Sequence, residues 1–312
     1  MLTGEEFLAL PIEPPDMLIE PWLETGNSVL VHAPADAGKT LLMLQVAIRL
    51  AGGRAPIFPD KWPVARRARV LYVDGEMNEG DCHRRLARFG KLPDWFHIMN
   101  IDHERKVGLH IGSLYEREHQ ATLNRYIEAC GANVVFMDNI FHLFSVSLEK
   151  DQEQWCKFAN TWIAEQKSVR RSLIFLHHEP KNSPGASFGS VAREIGVNVR
   201  LALAPLAPIP GDDATARQVN TFKGRELNAE QKAPFVARLR LDEDQYVWTA
   251  EEAEPGQQGR PKSSAGEEKR RRIWELYEQD DLTNVEIAEE LGVSKQYVGQ
   301  VIKEGKENPE TP

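Results

Sequence analysis

His32-Ala33-Pro34-Ala35-Asp36-Ala37-Gly38-Lys39-Thr40 is the stretch that decides the fold. It follows a short apolar run, Ser28–Val31, and opens a helical pattern over Lys39–Ala51. A strand, then a loop ending in Gly-Lys-Thr, then a helix is the context in which backbone amides and a helix N-terminus hold phosphate oxygens. The P-loop pattern GxxxxGK[ST] is met except at its first position, where Ala33 stands in place of glycine. Gly38 still permits the close backbone turn, Lys39 is placed to reach β- and γ-phosphates, and the Thr40 hydroxyl is placed to ligate Mg²⁺. The expected nucleotide-binding loop is therefore Ala33, Pro34, Ala35, Asp36, Ala37, Gly38, Lys39 and Thr40, with ATP and Mg²⁺ as its ligands. The plain alternative, a chance Gly-Lys-Thr in an ordinary loop, lacks the strand–loop–helix context.

Outward from this loop, Val70–Val73, Val134–Met137 and Leu173–Leu176 are short runs of Val, Leu, Ile and aromatics bounded by turn or charged residues. Such runs read as strands buried on both faces. Ala121–Cys130 and Gln154–Gln166 have the length and composition of helices. This alternation predicts an α/β fold with a mostly parallel sheet covered on both sides. Val199–Leu203, Val219–Lys223, Phe235–Leu241 and Tyr246–Thr249 follow without helices between them and predict an antiparallel extension.

The chain has 312 residues, room for about two domains at roughly 150 residues each. With 41% apolar and 27% charged residues it has globular composition, which excludes a disordered or collagen-like chain. Asp and Glu outnumber Lys and Arg by 47 to 38, so the net charge of −9 excludes a wholesale basic coat and confines any nucleic-acid contact to a local patch. Three cysteines, Cys82, Cys130 and Cys156, form no CxxC pair, as expected of a reducing cytoplasmic location and of core residues rather than nucleophiles. No uncharged run approaches the ~20 residues that span a bilayer. Glu5 and Glu6 stand where a signal peptide would be basic, so neither membrane association nor secretion is expected. One composition shift divides the chain: 251–266, EEAEPGQQGRPKSSAG, cannot bury enough surface to offset its ordering entropy and reads as a flexible linker. The expected organisation is an ATPase domain over 1–250, the linker, and a small all-α module over 267–312.

Ligands of open α/β sheets bind beyond the carboxyl ends of the strands. Asp138 follows Val134–Met137, Asp74 and Glu76 follow Val70–Val73, and His177 and His178 follow Leu173–Leu176, all on the edge that carries the P-loop. Phosphoryl transfer to water needs a metal clamp, an oriented water and positive charge on the γ-phosphate. Asp138 suits the Mg²⁺ shell, and Glu76 suits activation of the attacking water. Asp74 competes with Glu76 for that role, or is a structural acid of the turn. His178 is placed to sense the γ-phosphate, and His177 to pack inward.

Taken in order, APADAGKT, VLYVDGEM, VVFMDN, LIFLHHEPK and FKGRE resemble the RecA-like ATPases of the RepA-type replicative helicases of plasmids and phages. The resemblance runs from about Trp22 to Thr249. It implies a RecA-like core that assembles into rings, commonly hexamers, with Glu76 as the catalytic carboxylate; Asn139 occupies the position beside Asp138 where another acid would compete. It also implies that Lys223 and Arg225 insert into the neighbouring subunit's site. On a strand, residues two apart share a face about 7 Å apart, so the pair can address one phosphate group. A solvated pair guarding an edge strand is the other reading. The Gly- and Ser-rich stretch 184–190, flanked by Lys181 and Arg193, falls where such motors touch single-stranded DNA, or is a plain surface loop.

Near the C-terminus, Thr283-Asn284-Val285-Glu286 fits a capping box, Gly292 suits a tight turn, and Ser294 caps a second helix. LTNVEIAEELGVSKQYVGQVIKE resembles a helix-turn-helix, completed by a helix over 268–279. The second helix would present Lys295, Gln296, Tyr297, Gln300 and Lys303 to duplex DNA. A protein-binding trihelical module is the other reading. The expected function is a Mg-dependent ring ATPase acting as a DNA helicase or translocase in plasmid, phage or mobile-element replication. The alternatives are an ATP-regulated DNA-binding regulator without unwinding activity, and a nucleotide-binding assembly scaffold.

Overall fold

The structure is a computed structural model that describes residues 1–53, 55–144, 148–178, 195–207, 213–224, 227–253, 272–274, 276–277 and 282–307. Arg225, Lys181, Arg193, the stretch 184–190 and residues 254–271 lie outside the described residues.

Val29, Leu30 and Val31 have no solvent exposure, so Ser28–Ala33 is a strand without a polar face. The same holds for Val70–Asp74 and Val134–Asp138, buried at every position. A hairpin, β1 (Met17–Ile19) and β2 (Leu23–Glu24), precedes β3 (Ser28–Ala33). Then follow β4 (Val70–Asp74), β5 (Phe96–Asn100), β6 (Val134–Asp138), β7 (Ser172–His178), β8 (Val199–Pro205), β9 (Thr215–Gly224), β10 (Phe235–Asp242) and β11 (Gln245–Glu252). Strands β3 to β11 form one sheet in the order β11-β10-β9-β8-β3-β7-β6-β4-β5. From β8 through β3 to β5 all pairings are parallel, and β8 to β11 pair antiparallel. The expected parallel core with an antiparallel extension is therefore the observed one. Strand β5, unanticipated, forms one edge.

Alternation along the buried strands feeds two cores. Val29, Val31, Tyr72, Phe136, Ile174 and Leu176 face the helix Lys39–Gly52, whose Leu42, Met43, Val46 and Leu50 are buried against them. Leu30, Val73, Val135, Met137, Leu173 and Phe175 face the other side, where Leu123 and Ile127 of the helix Arg117–Cys130 join Trp155, Phe158 and Trp162. The helix expected over Gln154–Gln166 extends from Leu148 to Ser168, with a π-helical turn at Ala159–Ile163.

The chain separates into two compact units, Met1–Gln258 and Gly259–Pro312. Strand β11 continues to Glu252, past the expected boundary at 250. In the second unit, the helices Asn284–Leu291 and Lys295–Glu307 pack Ile287, Ala288, Val298, Val301 and Ile302 around Ile273 and Leu276. Thr283 and Glu286 cap one helix reciprocally, Ser294 Oγ accepts from Tyr297 N at 3.2 Å to cap the other, and Gly292 takes φ 60° between them. Among the described residues no helix is long and apolar enough to cross a membrane.

Candidate functional site

Parallel register brings the predicted residues to one edge of the sheet. Ala33 at the end of β3 pairs with His178 of β7, and Asp74 at the end of β4 pairs with Asp138 of β6 and Asn100 of β5. Beyond Ala33 the loop turns through Asp36 (φ 62°) and Gly38 (φ 75°) into the helix Lys39–Gly52. The N-cap residue Gly38 has no side chain to cap that helix, and a helix N-terminus suits an anion. Lys39 is buried, and its Nζ lies 3.2 Å from His178 Nδ1.

Glu76 sits beyond β4 on a turn built by Asp74. One Asp74 oxygen accepts from the Glu76 and Met77 amides at 3.1 and 3.0 Å, and the other accepts from Asn100 Nδ2 at 2.9 Å. Asp74 is fully buried and both its oxygens are engaged, which leaves the projecting Glu76 as the acid that reaches the loop's surroundings. Asn139 Nδ2 donates to Glu76 Oε2, and His178 Nε2 lies 3.4 Å from the same oxygen. His142, unanticipated, extends this chain with Nδ1 3.1 Å from Asn139 Oδ1. Hydrogen bonding from His178 is the main influence holding the Glu76 carboxyl down at about 2, with the charge of His178 and the Asn139 contact adding to it against partial burial. His177 is buried, as expected.

Asp138 is wholly buried, and burial pushes its carboxyl up to about 6 against the hydrogen bond from Tyr72, the nearby Thr40 hydroxyl and the charge of Lys39. Tyr72 donates to Oδ2 at 2.7 Å, whereas among the described residues Oδ1 has no partner at hydrogen-bonding geometry, the Thr40 hydroxyl lying near the carboxyl without meeting it. An orphaned, buried carboxylate oxygen beside the Thr40 hydroxyl is a hard-oxygen donor set. It fits Mg²⁺, an ion that keeps several waters and takes phosphate oxygens. Burial raises the Cys82 thiol to about 12, which makes it an inert core residue.

The extension carries basic residues towards both ends of β9. Lys223 pairs with Arg200, which is level with Leu30 in the middle of β3, so Lys223 lies toward the end of β9 remote from its own P-loop. The basic residue at the near end is Arg217, whose Nε donates to the Ala37 carbonyl. Nothing local in Ala214-Thr215-Ala216-Arg217 announces this contact. In the second unit Lys295, Gln296 and Gln300 are exposed, while Tyr297 is partly buried against the core rather than displayed with them. The side chain of Lys303 is outside the described part.

Residues 2–184 match a family described as AAA domain. The chain belongs to this family. The AAA-domain match takes in the P-loop, Glu76, Asp138 and His178, and ends before β8. It makes the chain a P-loop NTPase, a nucleotide-binding class. No curated protein sequence matches the chain. Among solved structures, the KaiC-like protein of the hyperthermophilic archaeon Pyrococcus horikoshii OT3 is similar over 74% of this chain and 93% of that one, at 17% identity and a TM-score of 0.50. At that identity the likeness is one of fold, and it extends the parallel core and antiparallel strands to a KaiC/RecA-like architecture.

Proposed function

We propose that the chain is a RepA-type, Mg-dependent ring ATPase that unwinds or translocates along DNA in the replication of a mobile element. The observation that carries the ATPase chemistry is the convergence of Lys39, Glu76, Asn139 and His178 in one hydrogen-bonded chain at the mouth of the P-loop. Thr40 and Asp138 would hold Mg²⁺, which would supply neutralisation of phosphate charge. Glu76, ionised through the neutral range, orients and deprotonates the attacking water. His178, touching Lys39 on one side and Glu76 on the other, senses whether the γ-phosphate is present.

The position of Lys223 supports a ring. Set far from its own P-loop along β9, it and Arg225 address a neighbouring subunit's phosphates, with hexamers the commonest assembly in the proteins this chain resembles. Single-stranded DNA follows the core, and the C-terminal unit acts as a helix-turn-helix that grips duplex DNA through Lys295, Gln296, Gln300 and Lys303. The second reading, an ATP-regulated DNA-binding regulator, is favoured by the exposed glutamines of that unit.

ATPase rate and oligomer mass, each measured with and without single-stranded DNA, test the proposal. DNA-stimulated hydrolysis in a ring is expected. Unwinding of a forked duplex supports the helicase, its absence with DNA-stimulated hydrolysis supports the regulator, and hydrolysis indifferent to DNA overturns both.

A further inference from the structure

Arg217 meets the P-loop from the side of the antiparallel extension. It lies near the start of β9, paired with Pro205 of β8 and Ala237 of β10, and is only 4% exposed. Its Nε donates to the Ala37 carbonyl, its Nη1 donates to the Thr215 carbonyl at 3.2 Å, and its guanidinium carbon is 5.9 Å from the centre of the Trp248 ring. The guanidinium fills the space into which a side chain on Gly38 would project. Glycine at 38 therefore meets two demands, a positive φ and room for Arg217. Among the described residues no carboxylate pairs with Arg217, and burial pulls its pKa down. A buried cation without a counter-ion is held at a cost that an arriving anion reduces. The anion-binding amides begin in the very turn that Arg217 touches.

We propose that Arg217 is a positioning residue of the nucleotide site, acting within its own subunit. Its fork ties the Ala37 carbonyl to β9, which fixes the Ala37–Gly38 turn so that the amides after it point at phosphate. The bound phosphate in turn balances the buried charge. The inference rests on the P-loop NTPase assignment and is independent of ring assembly or unwinding.

The test is calorimetric binding of MgADP and of Mg-pyrophosphate to the full chain, well below its melting temperature, for the parent, Arg217→Met and Arg217→Lys. Arg217→Met should bind both ligands at least ten-fold more weakly, and Arg217→Lys, which keeps the charge without the fork, should fall between. A parent that binds neither ligand would sink the nucleotide site itself. A parent that binds, with Arg217→Met within two-fold of it, would overturn the role of Arg217 alone. A loss confined to MgADP would place the effect on the base or ribose and also overturn it, and parent-like Arg217→Lys would overturn the anchoring by the fork. Should Arg217→Met fail to fold, the unaltered chain decides: Mg-pyrophosphate should change tryptophan emission, and Trp248→Phe should abolish that change. No change in the parent, or one that survives Trp248→Phe, counts against the proposal.

Discussion

Asn139 reaches back from the end of β6 to donate to the carboxylate of Glu76, 63 positions earlier. The same Nδ2 lies 2.8 Å from His178 Nε2, so three strand ends meet in one contact. The acid proposed to activate water is thus held by an amide and an imidazole, while the acid nearer its strand, Asp74, is spent on shaping the turn.

Glu76→Gln should bind MgATP as the parent does while hydrolysis falls by ~10²-fold or more, the scale for loss of a general base. Asp74→Asn keeps an acceptor for the turn amides and should lose less. Single-turnover hydrolysis with a separate binding measurement distinguishes the two. A greater loss in Asp74→Asn would move the base assignment to that residue.

The Glu76 carboxyl drops from its ordinary 4.5 to about 2 in the folded chain, so its ionised form favours the fold. That contribution is complete above about pH 4.5 and disappears as pH falls through about 2. The site is partly open to solvent, so the effect is modest. Urea midpoints of parent and Glu76→Gln should differ most above about pH 4.5 and converge as pH falls towards about 2. A difference that widens on acidification would contradict the direction of the shift.

If Arg225 acts across the subunit boundary, Arg225→Ala should bind ATP and hydrolyse ~10³-fold more slowly, as for other arginines acting in trans. Mixing Arg225→Ala with Glu76→Gln subunits should restore part of the rate, because some interfaces then hold both intact groups. Full activity in a dilute monomer, checked by mass photometry, would remove the trans role.

For the C-terminal unit, replacing Gln296 and Gln300 by Ala in the full chain should flatten preference among duplex sequences, since each good base contact is worth ~1–3 kcal/mol of discrimination. Replacing Lys303 should weaken all duplexes alike and lower the salt slope by about one. Selection from a random duplex pool over a salt series reads both. No enrichment and no salt dependence would leave a protein-binding unit.

The parallel core was legible because strands such as β4 and β6 are buried on both faces and therefore read as unbroken apolar runs. Strand β5 reads Phe-His-Ile-Met-Asn, opens His97 and Ile98 to solvent at the sheet's edge, and offers no such run. The π-helical turn at Ala159–Ile163 sits inside good helical sequence and has no signature of its own. At the site, the acids and histidine were legible from their places at strand ends. In the sequence Asn139 is only the residue beside Asp138, because its donation to Glu76 depends on the pairing of β4 with β6. Arg217 was not legible, since the register of β9 against β8, and not any local pattern, carries it to the loop.

Arg217 meets Ala37 across 180 residues of chain. The family match ends at residue 184, so the AAA-matched stretch contains the whole loop Ala33–Thr40 and lacks the strand that closes behind it. Truncation is therefore a poor guide to this NTPase. A fragment cut after the matched region keeps the motif intact on paper, yet its Ala37 carbonyl loses its donor, the space beside Gly38 empties, and β3 is left as a bare edge where β8 had covered it. The smallest portion that keeps Arg217 beside the loop together with its flanking Trp248 runs through β11.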